Sequence, residues 1–161
     1  MKTLVVYYSF EGNTRLIAHA IAQSTGADIQ ELVTEDQPKS RGFSKYFWGG
    51  RQVMTRQRPK LMPLEKNAAD YDVIFIGTPV WAFRPAPAMS SFLESVRLTG
   101  KKIALFCCSG GGMGRTLEIM KTSLEGNVFL STIHFVEPKR TRPEVSEERA
   151  GQWAKDVLSK T

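Results

Sequence analysis

A short loop near the start of the chain carries the residues best suited to hold an anion. Residues 9–14 read Ser-Phe-Glu-Gly-Asn-Thr and stand between a predicted strand and a predicted helix. The first N–H groups of a helix have no partner within the helix, and the helix dipole places positive charge there, so this junction can bind a phosphate. Ser9, Asn13 and Thr14 can add side-chain donors, and Gly12 permits a tight turn. The same pattern is also typical of a loop that only caps its helix, and this loop alone leaves both interpretations open.

Two further loops have the composition of a site for a flat heterocycle. Residues 78–87 contain Trp81 and Phe83 in a stretch made rigid by prolines, and such aromatic rings can stack on a planar ligand. Residues 109–112 read Ser-Gly-Gly-Gly, which lets backbone N–H and C=O groups approach the edge of a ligand. Taken alone, Trp81 is also typical of a buried core residue.

Strands and helices that alternate along the chain position these loops. Short runs of β-branched and aromatic residues predict strands, and apolar residues at helical spacing predict helices. Because this alternation is typical of a parallel sheet with right-handed crossovers, we expect an α/β fold, a three-layer doubly wound sandwich around a five-stranded parallel sheet. Ligands bind beyond the carboxyl ends of such strands, so the three loops, which follow strands one, three and four, are expected to share one site. The predicted strands cover residues 3–9, 28–34, 71–77, 101–109 and 127–136, and the predicted helices cover 13–25, 42–54, 88–97, 113–124 and 143–159.

Length and composition fit one globular domain. The chain has 161 residues, of which 42% are hydrophobic and 24% charged, so we expect a single domain over residues 1–161. Its apolar runs are only a few residues long, far short of a membrane-spanning helix, and the run after Lys2 is too short for the core of a signal peptide. We therefore expect a cytoplasmic protein with no membrane span.

Positive charge is concentrated in one segment. The net charge is +6, and seven of the 22 Lys and Arg residues lie between Gln37 and Leu64, where no Asp or Glu occurs. A basic segment of this kind indicates a local anionic partner. Aromatic residues interleave with the basic ones over residues 43–51, a pattern that fits a nucleic-acid surface but equally the solvated face of an amphipathic helix. An acidic redox protein or the phosphates of NADPH rank ahead of nucleic acid as partners.

The cysteines and histidines do not predict a metal site. Cys107 and Cys108 are adjacent, and neighbours in a strand point to opposite faces, so they are poor metal co-ligands and a poor disulfide pair. His19 and His134 have no Cys or His at metal-ligand spacing. We interpret all four as packing or solvated residues.

The loop over residues 9–14 resembles the phosphate loop of the flavodoxin family, whose usual form is Ser/Thr-x-Thr-Gly-Asn-Thr. The loops at 78–83 and 109–112 match the positions of the two isoalloxazine-binding loops of that family, and the resemblance extends over essentially the whole chain. It implies one FMN and a five-stranded sheet in the order 2-1-3-4-5, in a short-chain form. The residues implied are Ser9, Phe10, Glu11, Gly12, Asn13 and Thr14 for the phosphate, Thr78, Pro79, Val80 and Trp81 for the ring, with Phe83 as the second stacking candidate, and Ser109, Gly110, Gly111 and Gly112 for the ring edge and ribityl side.

The sequence departs from the family pattern in its charges. Glu11 stands where the pattern has Thr, which removes a hydroxyl donor and places a negative charge near the phosphate. Its backbone N–H remains, so we expect weaker but intact binding if the side chain points outward. Arg15 is a candidate to offset that charge, or else a solvated helix residue. Typical flavodoxins are acidic around the flavin, whereas this chain carries +6.

These observations predict an FMN-binding flavodoxin-like protein that carries electrons between redox proteins. The alternative is an NAD(P)H-dependent FMN reductase of quinones or similar small acceptors, in which the basic segment covers the flavin and receives the nucleotide. A basic nucleic-acid-binding module is the more distant alternative. No side chain is placed as an obvious general acid or base, so no catalytic residue is nominated. The sequence does not indicate an oligomeric state.

Overall fold

The computed structural model describes residues 1–36 and 57–161. Within these ranges the strands are β1 (Thr3–Tyr8), β2 (Asp28–Leu32), β3 (Val73–Trp81), β4 (Arg84–Pro85), β5 (Lys102–Ser109) and β6 (Val128–Val136). The α-helices of the same ranges are α1 (Asn13–Thr25), α2 (Pro87–Ser95), α3 (Thr116–Ser123), α4 (Pro138–Thr141) and α5 (Pro143–Leu158), and Ala68–Asp70 form a 3₁₀ turn. No helix among them is long and apolar enough to cross a membrane. The helix predicted over 42–54 and most of the basic segment lie outside the described residues.

The strands form one sheet in the order β2-β1-β3-β5-β6, and β4 pairs with β3 off this path. Every pair along the path is parallel, whereas β4 is antiparallel to β3. The α/β class and the parallel sheet predicted from the sequence are confirmed. The sheet of the described residues has six strands, so the expectation of a five-stranded sheet in the order 2-1-3-4-5 is wrong as stated.

The sixth strand arises because β3 does not end at Gly77. Its pairing with β5 continues through Thr78 and Pro79, and the chain then turns back so that Trp81 faces Arg84. The two turn residues, Ala82 and Phe83, have φ angles of 49° and 61°. Positive φ at both central positions is the geometry of a tight two-residue hairpin, which usually needs Gly, Asn or Asp. Ala and Phe carry no such signal, and for this reason the sequence predicts only a loop here.

Helices cover both faces of the sheet because successive strand residues point in opposite directions. On one face the core includes Phe92 of α2 and Met120 of α3. On the other face it includes Ile21 of α1 and Ala154 of α5. The sheet is therefore the middle of three layers, and its central strands β1, β3 and β5 are largely buried.

The adjacent cysteines follow this alternation, as predicted. Cys107 belongs to the core on the α2 and α3 face, and Cys108 to the core on the α1 and α5 face. Burial raises the pKa of the Cys107 thiol to about 12 and raises the pKa of the Cys108 thiol as well. Both side chains are protonated packing residues at neutral pH.

Candidate cofactor site

A cavity of about 330 Å³ opens beyond the carboxyl ends of β1, β3 and β5. This is the edge at which open parallel sheets bind ligands, and the volume lies within the range of roughly 300–1,000 Å³ typical of small-molecule sites. The three loops singled out in the sequence meet around it. The predicted site residues that line it are Ser9, Phe10, Glu11, Asn13, Thr14, Pro79, Val80, Trp81, Ser109 and Gly110.

Other predicted site residues belong to the same loops but do not line the cavity. They are Gly12, Thr78, Phe83, Gly111 and Gly112. Thr78 is fully buried, and its hydroxyl donates to the Pro79 carbonyl oxygen at 2.9 Å and accepts from the Ala86 N–H at 3.1 Å. Thr78 thus fixes the loop to the start of α2. Ala82, Cys108 and Glu137 line the cavity without having been predicted.

The loop over residues 9–14 is shaped by Ser9. The N–H of Gly12 donates to Ser9 Oγ at 3.2 Å, and Gly12 has a φ of 97° that other residues rarely adopt. No described side chain caps α1, so Ser9 closes the turn instead of capping the helix. The first backbone hydrogen bond of α1 runs from the Leu16 N–H to the Gly12 carbonyl oxygen at 3.0 Å. The N–H groups of residues 13–15 consequently have no acceptor within the helix.

Thr14 supplies the observation that tests whether this loop fits a phosphate. Its side chain is 1% exposed, and Oγ1 makes no hydrogen bond within the described part of the chain. Its polar neighbour is the Cys108 thiol. Burial raises the pKa of that thiol and the Thr14 hydroxyl acts in the opposite direction, but a thiol is a weak hydrogen-bonding group. A buried hydroxyl left without a partner costs about 1–3 kcal/mol. Because Thr14 lines the cavity, an anion oxygen bound there would satisfy it, and the residues present fit a phosphate.

Arg15 does not serve the loop. Its guanidinium forms an ion pair with Glu31 of β2, and this hydrogen bond raises the pKa of Arg15. In the described part of the chain, a cation that contacts the loop is Lys139 of α4, whose ammonium donates to the Glu11 carbonyl oxygen at 3.2 Å. The available signal for Lys139 was its place after the last strand, at the same edge of the sheet. Lys139 was not predicted, because the predicted site included only the loops after strands one, three and four.

Trp81 forms the wall on another side of the cavity. Its ring meets Tyr8 edge to face at 5.9 Å and Phe10 at 5.6 Å between centroids, a geometry that aromatic pairs favour. The side chain is half-buried and packs against the core. Phe83 is 66% exposed at the tip of the β3–β4 hairpin. Of the two aromatic candidates, Trp81 is therefore the one placed to contact a ring in the cavity.

The loop after β5 is closed by the Ser109 hydroxyl. Ser109 Oγ donates to the Gly111 carbonyl oxygen at 2.8 Å and accepts from the Gly111 N–H at 3.1 Å. It also lies 2.6 Å from His134 Nε2. With the single hydroxyl proton directed to the Gly111 carbonyl oxygen, the compatible tautomer of His134 carries its proton on Nε2 and donates to Ser109 Oγ. Burial, followed by the charge of Arg149, lowers the pKa of His134, so the neutral ring donates this hydrogen bond at neutral pH.

The glycines of this loop differ in how much space surrounds them. A Cβ atom at Gly110, Gly111 or Gly112 would have no heavy atom of the described residues within 4 Å, so the packing of that part of the chain leaves open space beside these glycines. At Gly114 a Cβ atom would lie 2.3 Å from Cβ of Phe83 and 2.8 Å from its carbonyl oxygen. That carbonyl oxygen accepts from the Arg115 N–H at 3.1 Å. Gly114 therefore lets the two loops that flank the cavity touch.

The comparisons with known proteins agree with this architecture. A flavoprotein from Lactobacillus acidophilus, solved in complex with FMN, is 23% identical, with 83% of this chain and 92% of that chain covered and a TM-score of 0.69. A protein from Bacteroides uniformis with a provisional flavoprotein assignment is 23% identical over 96% of this chain and 97% of its own, with a TM-score of 0.80. A Streptococcus flavodoxin is 17% identical over 100% of both chains, with a TM-score of 0.60. At these identities the likeness shows the fold.

The family follows from a different comparison. The model of a family described as flavodoxin matches residues 2–156, which include all three loops of the cavity and Lys139. This chain belongs to the flavodoxin family.

Proposed function

We propose that residues 1–161 form one FMN-binding domain that carries electrons between redox proteins. The observation that carries this proposal is the pairing, in one cavity, of a buried hydroxyl without a partner at Thr14 with an aromatic wall at Trp81. A ligand with an anionic group and a flat ring satisfies both. FMN has both parts, it is the cofactor that family membership supports, and a structural relative was solved in complex with it. When bound, FMN supplies the redox chemistry, while the protein supplies orientation and electrostatics.

The residues divide into three groups by what they offer FMN. The N–H groups of residues 13–15, together with the Thr14 hydroxyl and the Asn13 amide, serve the phosphate. Trp81 packs against the ring, and Pro79 and Val80 complete that wall. The backbone of residues 109–112 meets the ring edge and ribityl side, where the absence of side chains leaves room for close approach.

The exposed side chains at the tip of the β3–β4 hairpin favour a protein as the electron partner. Phe83 is 66% exposed there, and the neighbouring Arg84 is exposed as well. An apolar group beside a cation suits a docking surface for an acidic redox protein. The reductase alternative assigns the basic segment to a nucleotide, yet Arg58 pairs with Glu94 at 2.6 Å and Lys60 with Glu35 at 3.0 Å. These two cations are already engaged within the protein.

Titration of the cofactor-free protein with FMN and with riboflavin tests the site. Trp81→Leu should weaken binding of both flavins by about twofold to tenfold, since a stacked aromatic pair contributes about 0.5–1.5 kcal/mol beyond its buried area. Phe83→Leu is the matched control and should change either dissociation constant by less than about twofold. Equal effects of the two substitutions would contradict the assignment of Trp81. A wild-type protein that retains no flavin after desalting would overturn FMN binding itself.

Anaerobic titration of the FMN-loaded protein separates the carrier from the reductase. We expect dithionite to bleach the visible flavin absorbance, and NADH and NADPH to leave it unchanged over minutes. Bleaching by either nucleotide within seconds would refute the carrier and establish the reductase, and quinones would then be tested as acceptors. The same experiment should show reoxidation by an acidic redox protein that slows at high salt, since electrostatic steering of charged partners is screened by ions.

A further inference from the structure

One peptide group of the loop over residues 9–14 is held at both ends. The carbonyl oxygen of Glu11 accepts from the Lys139 ammonium at 3.2 Å, and the N–H of Gly12 donates to Ser9 Oγ at 3.2 Å. A trans peptide directs its C=O and N–H to opposite sides. Lys139 therefore lies on the outer side of the loop, and the contact fixes the orientation of this peptide.

Lys139 is also anchored through its backbone. Its N–H donates to Asn13 Oδ1 at 3.0 Å, so the first residue of α1 and the short helix α4 are joined directly. A Cβ atom at Gly12 would lie 3.0 Å from the Lys139 Nζ atom. The contact therefore depends on the glycine as well as on the lysine, and it connects residues 128 positions apart in the chain.

The charge of Lys139 has a specific place in the site. Glu11 brings a carboxylate into this loop, and the nearest cation in the sequence, Arg15, is paired with Glu31. Lys139 puts a positive charge against the Glu11 carbonyl oxygen, close in the chain to residues 13–15, whose free N–H groups are offered to the anion. A charge-assisted hydrogen bond is stronger than a neutral one, and a cation a few ångströms from a phosphate lowers its energy by an amount that salt reduces.

We propose that Lys139 is a positioning residue of the phosphate loop and that it sets the preference of this protein for the phosphorylated flavin over riboflavin. The proposal rests on the proposed function, because it concerns the same FMN site. Lys139 acts through the Glu11–Gly12 peptide and through its charge. It therefore affects the phosphate end of the ligand and not the ring end.

The test compares the dissociation constants of FMN and riboflavin for the full-length protein and for Lys139→Met. Loss of the amino group should weaken FMN binding by about threefold to tenfold and riboflavin binding by less than about twofold. The difference in FMN dissociation constant between wild type and Lys139→Met should become smaller at about 0.5 M salt. Lys139→Arg, which keeps the charge and a donor, should restore most of the preference. Lys155→Met removes an exposed lysine of α5 and is the matched control, with no change expected.

A readout without flavin completes the test. Inorganic phosphate should raise the melting temperature of the cofactor-free wild type by mass action and raise that of Lys139→Met less. A wild type that binds neither flavin would overturn the proposed function. A wild type that prefers FMN, together with a Lys139→Met variant that keeps the same ratio of dissociation constants, would overturn only the role of Lys139. Equal weakening of both flavins in that variant would also overturn it, because it would mean a general loss of structure.

Discussion

The contact between the two loops that flank the cavity can be broken at Gly114 by adding a single methyl group. In Gly114→Ala the new Cβ atom would lie 2.3 Å from Cβ of Phe83, 2.8 Å from its carbonyl oxygen and 2.9 Å from its Cα. Two of these atoms are backbone, so no side-chain rotation relieves the overlap. The hairpin or the loop after β5 must move, and the hydrogen bond from Arg115 to Phe83 is strained with it.

The expected cost has two parts. Gly114 has a φ of 52°, and an alanine in this left-handed region costs about 1 kcal/mol. Overpacking against fixed atoms adds about 1–3 kcal/mol. The free energy of unfolding should therefore fall by about 2–4 kcal/mol in Gly114→Ala, before the small gain from a stiffer unfolded chain.

The chain offers controls that separate the two parts. Gly26 and Gly100 have φ angles of 69° and 67°, and a Cβ atom at either would have no neighbour within 4 Å among residues 1–36 and 57–161. Gly26→Ala and Gly100→Ala should therefore lose only the conformational part, about 1 kcal/mol. Gly110→Ala tests an added methyl group in the same loop where the backbone is ordinary and the space is open.

Urea unfolding of the cofactor-free variants measures these differences. If Gly114→Ala loses no more unfolding free energy than Gly26→Ala and Gly100→Ala, the predicted overlap with Phe83 is refuted. Flavin binding gives a second measurement, because displacement of either loop changes the cavity wall that Trp81 forms. We expect Gly114→Ala to weaken FMN and riboflavin alike, and a selective loss of FMN would contradict the placement of this contact at the ring end.

Two further predictions concern groups whose state the structure defines. Thr14→Val removes the buried hydroxyl that has no partner in the described structure, and FMN binding measured by fluorescence should weaken by about 1.5–3 kcal/mol, the value of a hydrogen bond to a charged group. Riboflavin binding and the stability of the cofactor-free protein in urea should not fall. A fall in either would refute the role of the Thr14 hydroxyl. The pKa of His134 is lowered in the folded protein by burial and by Arg149, so the unfolded chain takes up its proton first and stability should decline as the pH falls from about 6.5 toward the lower folded pKa. Urea titrations at about pH 7.5 and pH 5.5 should show a larger loss for the wild type than for His134→Gln, which keeps a donor for Ser109, and equal losses would exclude His134 as a source of acid sensitivity.

The central part of the fold could be predicted because its signals are local. Residues 73–76 form a continuous apolar run that is fully buried, as expected for a parallel strand covered on both faces. Helix α1 was predicted over 13–25 and spans Asn13–Thr25. The helix ends at Gly26, which adopts the left-handed conformation typical of helix C-termini, with a φ of 69°. In both elements a few neighbouring residues specify the backbone.

Boundaries set by tertiary contacts were predicted poorly. The helix predicted from residue 113 begins at Thr116 instead, because Gly114 adopts a left-handed conformation to approach Phe83. The β3–β4 hairpin places Ala82 and Phe83 at positive φ, which costs each of them about 1 kcal/mol relative to glycine. Such strain persists only where the surrounding structure imposes it, and here the imposing contacts come from the loop after β5, about 30 residues further along.

The candidate site shows the same division between what a local pattern specifies and what only the fold decides. The donors of the loop over residues 9–14 follow from a backbone rule, since any helix that begins there leaves its first N–H groups without partners. The compensating cation follows from no such rule. Proximity in sequence made Arg15 a candidate, with a solvated helix residue as the alternative. Instead, Arg15 pairs with Glu31 of β2, and the packing of α4 brings Lys139 to the loop. The net charge of +6 could not have located this cation, because Lys139, whose ammonium contacts the loop within the described residues, lies outside the basic segment that dominates the total. The charge beside the proposed phosphate loop is therefore a property of the packed helices, and the proposed role of Lys139 predicts that substitutions in α4 alter cofactor selection even though the motif over residues 9–14 stays intact.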